Sequence, residues 1–206
     1  MKREISPIYV ALVLVLGCVS FRLLTSHFPE FIPNVSPLMA IAFVGAMYLP
    51  GRWGWLVGPA TLFLTDLAFV RVNYLTDGSS SMFSWFSLLS FGFYALVGGF
   101  GILIARHKTL AKIIGGSLFC SLAFYLVSNT FSWWHDAAIQ MPGAYAQTFA
   151  GWWQANTYGL PGYPPTWLFL RNAMAGDLFF TLLLLLILDR GFLFGQAPAK
   201  TTARLA

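Results

Sequence analysis

The sequence predicts an all-α membrane protein: six transmembrane helices, with a long aromatic outer segment between helices five and six. Three observations carry that expectation. Of 206 residues, 58% are hydrophobic and only 9% are charged, whereas a soluble domain of this size carries about 25% charged residues. Apolar stretches recur along the whole chain, most of them near the ~20 residues that cross hydrocarbon. The cations gather in the gaps between alternate stretches, as loops on the cytoplasmic side require.

The first span runs from about Ser6 to Leu24, preceded by Lys2 and Arg3, with Arg22 long enough to snorkel to the outer interface. An outer loop, His27 to Pro33, carries Glu30. Span two, Asn34 to Leu49, is short for a bilayer and ends at Pro50-Gly51, a strong breaker. Its length suits a helix set deep or held partly in protein rather than lipid. Arg52 marks a tight turn into span three, Trp53 to about Val70. There Gly54-x-x-x-Gly58 is a spacing that permits close helix contact, within one chain or between two. Asp77-Gly78-Ser79-Ser80-Ser81 forms the next outer loop. Span four is Met82 to Ala105, span five Lys112 to about Trp134, and span six about Trp167 to Leu188.

This alternation places both termini on the cytoplasmic side. Nine cations then lie inside (Lys2, Arg3, Arg52, Arg106, Lys108, Lys112, Arg190, Lys200, Arg204) and three outside (Arg22, Arg71, Arg171), which accounts for all 12 Lys and Arg. The membrane domain occupies residues 1–195, and 196–206 form a short cytoplasmic tail. Lys2-Arg3 and the apolar run that follows also resemble a signal peptide, but the early Arg22 favours an uncleaved helix. Cys18 lies in a lipoprotein-like Val15-Leu16-Gly17-Cys18 sequence, with Leu16 bulky for such a box. The net charge of +5 is spread over loops and tails, which speaks for topology and lipid headgroups rather than nucleic acid.

The segment from Asp136 to Thr166 is long and nearly uncharged. Tyr145, Phe149, Trp152 and Trp153 fall at i, i+4, i+7 and i+8, the spacing of one face of an amphipathic helix. Gly159-Leu160-Pro161-Gly162 and Pro164-Pro165 then break it.

Ionisable groups inside spans cost about 2.5–3.5 kcal/mol each on insertion scales and therefore need a reason. Asp66 reads either as the wall of an outward cavity, sharing a face with Asn73, or as a structural carboxylate paired across helices. Arg171 either snorkels or presents a cation to an anionic solute, and Asn172 shares a face with Gly176. Asp177 sits deeper, as a charge for the bundle interior. Ser117, Ser121, Ser128 and Ser132 line one side of span five as packing contacts or ligands. At its outer end Asn129, Trp133, Trp134, His135 and Asp136 suit a small-molecule site, or else an aromatic belt at the headgroups.

The motifs of zinc peptidases, Walker ATPases and serine hydrolases are missing, and no catalytic constellation is expected. His135-Asp136 offers two metal ligands without a third, so neither a metal nor a cofactor is expected.

Asn34-Val35-Ser36-Pro37-Leu38-Met39-Ala40-Ile41-Ala42, then Gly45-Ala46, Thr65-Asp66, Ser128-Asn129 and Leu170-Arg171-Asn172 with Gly176-Asp177-Leu178 resemble an uncharacterised bacterial family of small integral membrane proteins. That family is similar in layout to the substrate-binding S components of energy-coupling factor transporters. The resemblance implies a bacterial inner-membrane protein with a solute site near the outer face. A transport coupling subunit and an ATPase would be its partners, beside the lipid bilayer. S components carry an Ala-x-x-x-Ala docking motif in span one, whereas here Ala11 is followed by Val15.

The expected function is therefore transport or binding of a small solute, without catalysis. Asn129, Trp133, Asp136, Arg171 and Asn172 would face solute, and Asn34, Asp66 and Asp177 would serve structure or coupling. The alternative is a structural or assembly membrane protein with no transported substrate.

Overall fold

A computed structural model describes residues 7–26, 35–49, 51–77, 84–141 and 143–189. Those residues form helices and no strand. They are α1 (Pro7–Ser26), α2 (Leu38–Tyr48), α3 (Arg52–Asp77), α4 (Trp85–Ala105), α5 (Leu110–Ala138), α6 (Phe149–Ala155) and α7 (Thr166–Leu188). Four of them, α3, α4, α5 and α7, are long and apolar enough to cross a membrane, while α1 and α2 contribute shorter apolar stretches.

Local chemistry sets the boundaries. Ser84, Thr109 and Thr148 each turn a hydroxyl back onto a free backbone N–H in the first turn of α4, α5 and α6, the usual way a helix start is satisfied. Gly51, at φ +56°, makes the turn between α2 and α3, a conformation that glycine adopts without steric cost.

The centre of the bundle is α2. Every residue from Leu38 to Ala46 is buried. At ~1.5 Å per residue, Leu38–Tyr48 covers about half of a ~30 Å hydrocarbon layer. It packs against α1, α3, α4, α5 and α7, which surround it. The ring follows the pairs α1–α3, α3–α4, α4–α5 and α5–α7, and Phe21 against Phe180 closes α1 onto α7 at 5.1 Å between ring centroids. The segment read as a span from Asn34 to Leu49 is thus an interior helix shorter than expected. Residues 35–37 are not helical, and Asn34 lies outside the described residues.

Small residues allow this packing. A methyl on Gly54 would lie 2.9 Å from the Ala46 carbonyl oxygen, and one on Gly58 would lie 2.7 Å from the Ala42 methyl. The Gly54-x-x-x-Gly58 contact is therefore made within one chain, against α2. Residues Ile41–Gly45 of α2 form a π-helical turn. There the Phe43 ring stacks on Phe100 at 5.7 Å.

Polarity is arranged inside out. Large apolar side chains such as Val13, Leu16, Leu96, Phe119, Phe179 and Ile187 are exposed, whereas Thr61, Thr65, Ser90, Ser117, Ser121, Asp177 and Thr181 are buried. An apolar exterior of this kind suits hydrocarbon rather than water.

The aromatic segment differs from the expectation. Its helix is Phe149–Ala155 alone, and Tyr145 lies before it in irregular chain. The cause is hydrogen bonding to α5. The Trp133 indole donates to the Ala146 carbonyl, and the Gln147 amide donates to the Trp133 carbonyl, at 2.9 and 2.6 Å. That pins 146–147 outside any helix, and Thr148 caps the helix that follows. Tyr145, Phe149, Trp152 and Trp153 therefore do not form one face. Trp152 turns inward and donates to Thr130 Oγ1, while Phe149 and Trp153 are exposed.

Candidate functional site

Five helices bring polar side chains to the interior. On α1, Cys18 and Arg22 are one turn apart, so they share a face. The Cys18 thiol lies against Ser36. Asp66 on α3 is half-buried and lies within electrostatic reach of Arg22. Tyr94, in the middle of α4, is buried and lies within electrostatic reach of Asp177, Arg22, Cys18 and Asp66. A tyrosine far from either helix end is no headgroup anchor, since such anchors sit at the interface.

Two rungs join α5 to α7. Ser121 donates to Asp177 Oδ2 at 2.7 Å, and Ser117 and Thr181 share a hydrogen bond of 3.0 Å. Asp177 is 5% exposed, and Ser121 supplies its one hydrogen bond among the described residues. Asp177 forms no ion pair among those residues. A buried carboxylate with a single hydroxyl partner is incompletely compensated.

Arg22 shows the complementary gap. Its guanidinium lies over the Phe69 ring at 5.5 Å, yet Nη1 is buried with no hydrogen-bond partner. Arg22 is thus half-buried against α3. That differs from the snorkelling expectation: the guanidinium lies over Phe69 of α3, with Asp66 within electrostatic reach. Among the described residues the interior holds two carboxylates, Asp66 and Asp177, against one guanidinium.

The residues expected to face solute lie at the end of the bundle where α5 finishes and α7 begins, and each has a local partner. Asn129 Nδ2 donates to the Tyr125 carbonyl one turn back at 2.8 Å. Trp133 is bonded to Ala146. The Asp136 carboxylate stands 3.4 Å from His135 Nδ1. Burial, reinforced by the Asp136 charge, holds the Tyr145 phenol above its usual pKa. Arg171 is exposed, donates twice to Asn172 Oδ1 and lies 5.9 Å from the Trp167 ring centroid. Asp177, expected in the bundle interior, is found there, and its partner is a hydroxyl of the span-five serine row. No group of three or more His, Cys, Asp or Glu suited to a metal occurs among the described residues.

The opposite end carries a polar clamp. Lys108 Nζ pairs with Asp189 at 2.5 Å and with Tyr48 OH at 3.2 Å, and Tyr48 OH bonds Asp189 at 3.1 Å. This ties the end of α2 and the α4–α5 turn to the end of α7. Burial opposes the Lys108 ammonium, but the hydrogen bonds from Asp189 and Tyr48 outweigh it, so its pKa lies above the ordinary lysine value.

Sequence reasoning missed Tyr94, the inward Arg22 and this clamp. The available signals were a tyrosine in mid-span, and a cysteine and an arginine four apart on one helix. A family model described as "Family of unknown function (DUF6580)" matches residues 2–190. No curated protein and no solved structure matches the chain.

Proposed function

We propose that this chain, which belongs to the DUF6580 family, is a membrane protein that binds a small solute for transport, at the interior cluster of Arg22, Asp66, Tyr94 and Asp177. One observation carries the reading. Among the described residues Asp177 is buried with a single hydroxyl partner, and Tyr94 lies within electrostatic reach of both it and Arg22, whose buried Nη1 has no hydrogen-bond partner there. A purely structural cluster would close both with protein groups, since breaking or half-satisfying buried charges is costly. Ionisable groups inside membrane helices mark solute and ion pathways by default.

The solute site thus lies deeper than Asn129, Trp133, Asp136, Arg171 and Asn172, which would line the approach to it. Six membrane helices, with α2 held in protein, and both termini in the cytoplasm complete the proposal. The nine-to-three division of cations supports it. In a bacterial inner membrane this layout would be similar to that of an energy-coupling factor S component, which would have a coupling subunit and an ATPase as partners and no catalysis of its own. A periplasm-active reporter fused near Gly143 should be active and one at Gly195 inactive; the reverse pattern refutes the orientation.

A structural or assembly role is the second reading. Phe149, Trp153, Tyr158, Tyr163 and Trp167 are exposed along and beyond α6, as an anchor in headgroups or a partner surface would be. Mass spectrometry of small molecules released from the purified protein separates the two. A reproducible solute supports transport, and a stable protein complex without one supports assembly.

A further inference from the structure

We propose that the outward face of α6, Phe149 with Trp153, is seated in the bilayer itself, at the boundary between headgroups and acyl chains. The inference is independent of the solute site and of which leaflet holds this end of the bundle, so its failure would leave the solute reading untouched.

Depth is the first argument. The Ser121–Asp177 and Ser117–Thr181 hydrogen bonds fix an antiparallel register between α5 and α7. Continued along both helices, it brings Thr166, the first residue of α7, level with Ser132 of α5. With 23 residues, α7 is about 34 Å long at ~1.5 Å per residue, little more than a ~30 Å hydrocarbon layer. Its start therefore marks the edge of hydrocarbon. The α6 segment is bonded across that level. Trp133 holds Ala146 and Gln147 just beyond it, Thr130 holds Trp152 just inside it, and the Tyr125 phenol donates to the Asn156 carbonyl at 2.7 Å. The helix thus descends alongside α5 toward the apolar layer.

Backbone polarity and side-chain chemistry select lipid as the occupant. At an aqueous surface water satisfies loop carbonyls, whereas in lipid the protein must do so. Here Gln154 Nε2 donates to the Gly159 carbonyl at 2.9 Å, and the Thr166 hydroxyl and Trp167 N–H donate to the Thr157 carbonyl at 2.8 and 3.1 Å. The Ala146 and Asn156 carbonyls are closed by Trp133 and Tyr125. Residues 137–170 carry no Asp, Glu, Lys or Arg, whereas the water-facing rim of a protein interface is polar. Phe149 and Trp153 are one turn apart and exposed, so they share a face. Trp134 near the end of α5 and Trp167 at the start of α7 are exposed at the same edge, where membrane proteins concentrate Trp and Tyr. Without basic residues the face is held by apolar area rather than by attraction to anionic headgroups.

Quenching of tryptophan emission tests this in the full-length protein, reconstituted in phosphatidylcholine vesicles whose acyl chains carry bromine either close to the headgroup or near the chain ends. The part of the emission that Trp153→Phe removes should be largely quenched by the shallow bromines, less by the deep ones, and shielded from aqueous iodide. The part that Trp152→Phe removes should be quenched much less, because Trp152 turns inward onto Thr130. Adding phosphatidylglycerol should leave the Trp153 quenching unchanged. Moving the reporter along the face, with Phe149→Trp in the Trp153→Phe protein, should restore the shallow quenching and guards against a local effect of the first variant.

Quenching of the Trp153 emission by iodide and not by bromine would overturn the proposal and place the face in water. Protection from both quenchers would overturn it in favour of a protein partner or a second copy of the chain. Bromine quenching that appears only with phosphatidylglycerol would overturn it in favour of an electrostatic attachment to headgroups.

Discussion

Replacing Gly58 with alanine probes a crowded contact between α3 and the central helix α2. The new methyl would stand 2.7 Å from the Ala42 methyl, 3.3 Å from Ala42 Cα and 3.2 Å from the Tyr94 carbonyl oxygen. Carbon atoms pack best at about 3.5–4.0 Å, so α2 and α3 must part by about 1 Å. Ala42 has no rotamer to change, and α2 is enclosed on the other sides. Overpacking of this kind costs about 1–3 kcal/mol. Alanine also gains about 0.8–1.0 kcal/mol of helix propensity over glycine, which would mask part of the loss. Gly92 on α4 supplies the control, since a methyl there meets nothing within 4 Å. The difference between Gly58→Ala and Gly92→Ala removes the shared propensity gain and leaves the clash. At roughly 2–4 °C per kcal/mol for a chain of this size, Gly58→Ala should melt about 2–12 °C below Gly92→Ala. Thermal unfolding of the two purified proteins in one detergent measures it. Equal melting temperatures, or a higher one for Gly58→Ala, would refute the central placement of α2.

Ser121→Ala leaves Asp177 without its hydroxyl partner and should cost about 1.5–3 kcal/mol, the range for a hydrogen bond to a charged group; thermal unfolding of purified protein reads it. Lys108→Met and Asp189→Asn should show a coupling of about 1 kcal/mol or less in a double-mutant cycle, because both side chains are about a third exposed. The Lys108 pKa is raised, so the clamp contributes fully below the ordinary lysine pKa and is lost only as pH climbs past the folded value; the coupling measured at pH 7 and pH 9 should agree. Arg171→Ala should leave folded yield unchanged, since that side chain is exposed and, among the described residues, contacts its neighbour Asn172 and the Trp167 ring; a marked drop in recovered protein would place Arg171 in a structural contact.

The helices were legible where hydrophobic length and breakers coincide. Span four and α4 both end at Ala105, and span six and α7 both end at Leu188. The shortness of span two already pointed to a helix held in protein. Tyr145 was misassigned because its spacing fits a helix, while the bonds that exclude it run between Trp133 and residues 146–147, which no periodicity records. Asp177 was legible as an interior charge, because an aspartate in an apolar run has few other uses. Its meeting with Tyr94 and Ser121 was not, because those residues lie 83 and 56 positions away in sequence and are brought together only by the ring of helices around α2. Arg22 has the reach to snorkel in any isolated helix. Its inward course depends on Phe69 and Asp66 of α3.

The solute site itself is tested most directly by what denatured protein releases. Small molecules freed from equal amounts of wild type, Asp177→Asn, Arg22→Gln and Arg171→Ala would be quantified by mass spectrometry. The interior cluster predicts a solute close to one per chain from wild type and from Arg171→Ala, and its loss from Asp177→Asn and Arg22→Gln. Equal release from wild type and both interior variants, or no release from wild type above a detergent blank, would contradict it.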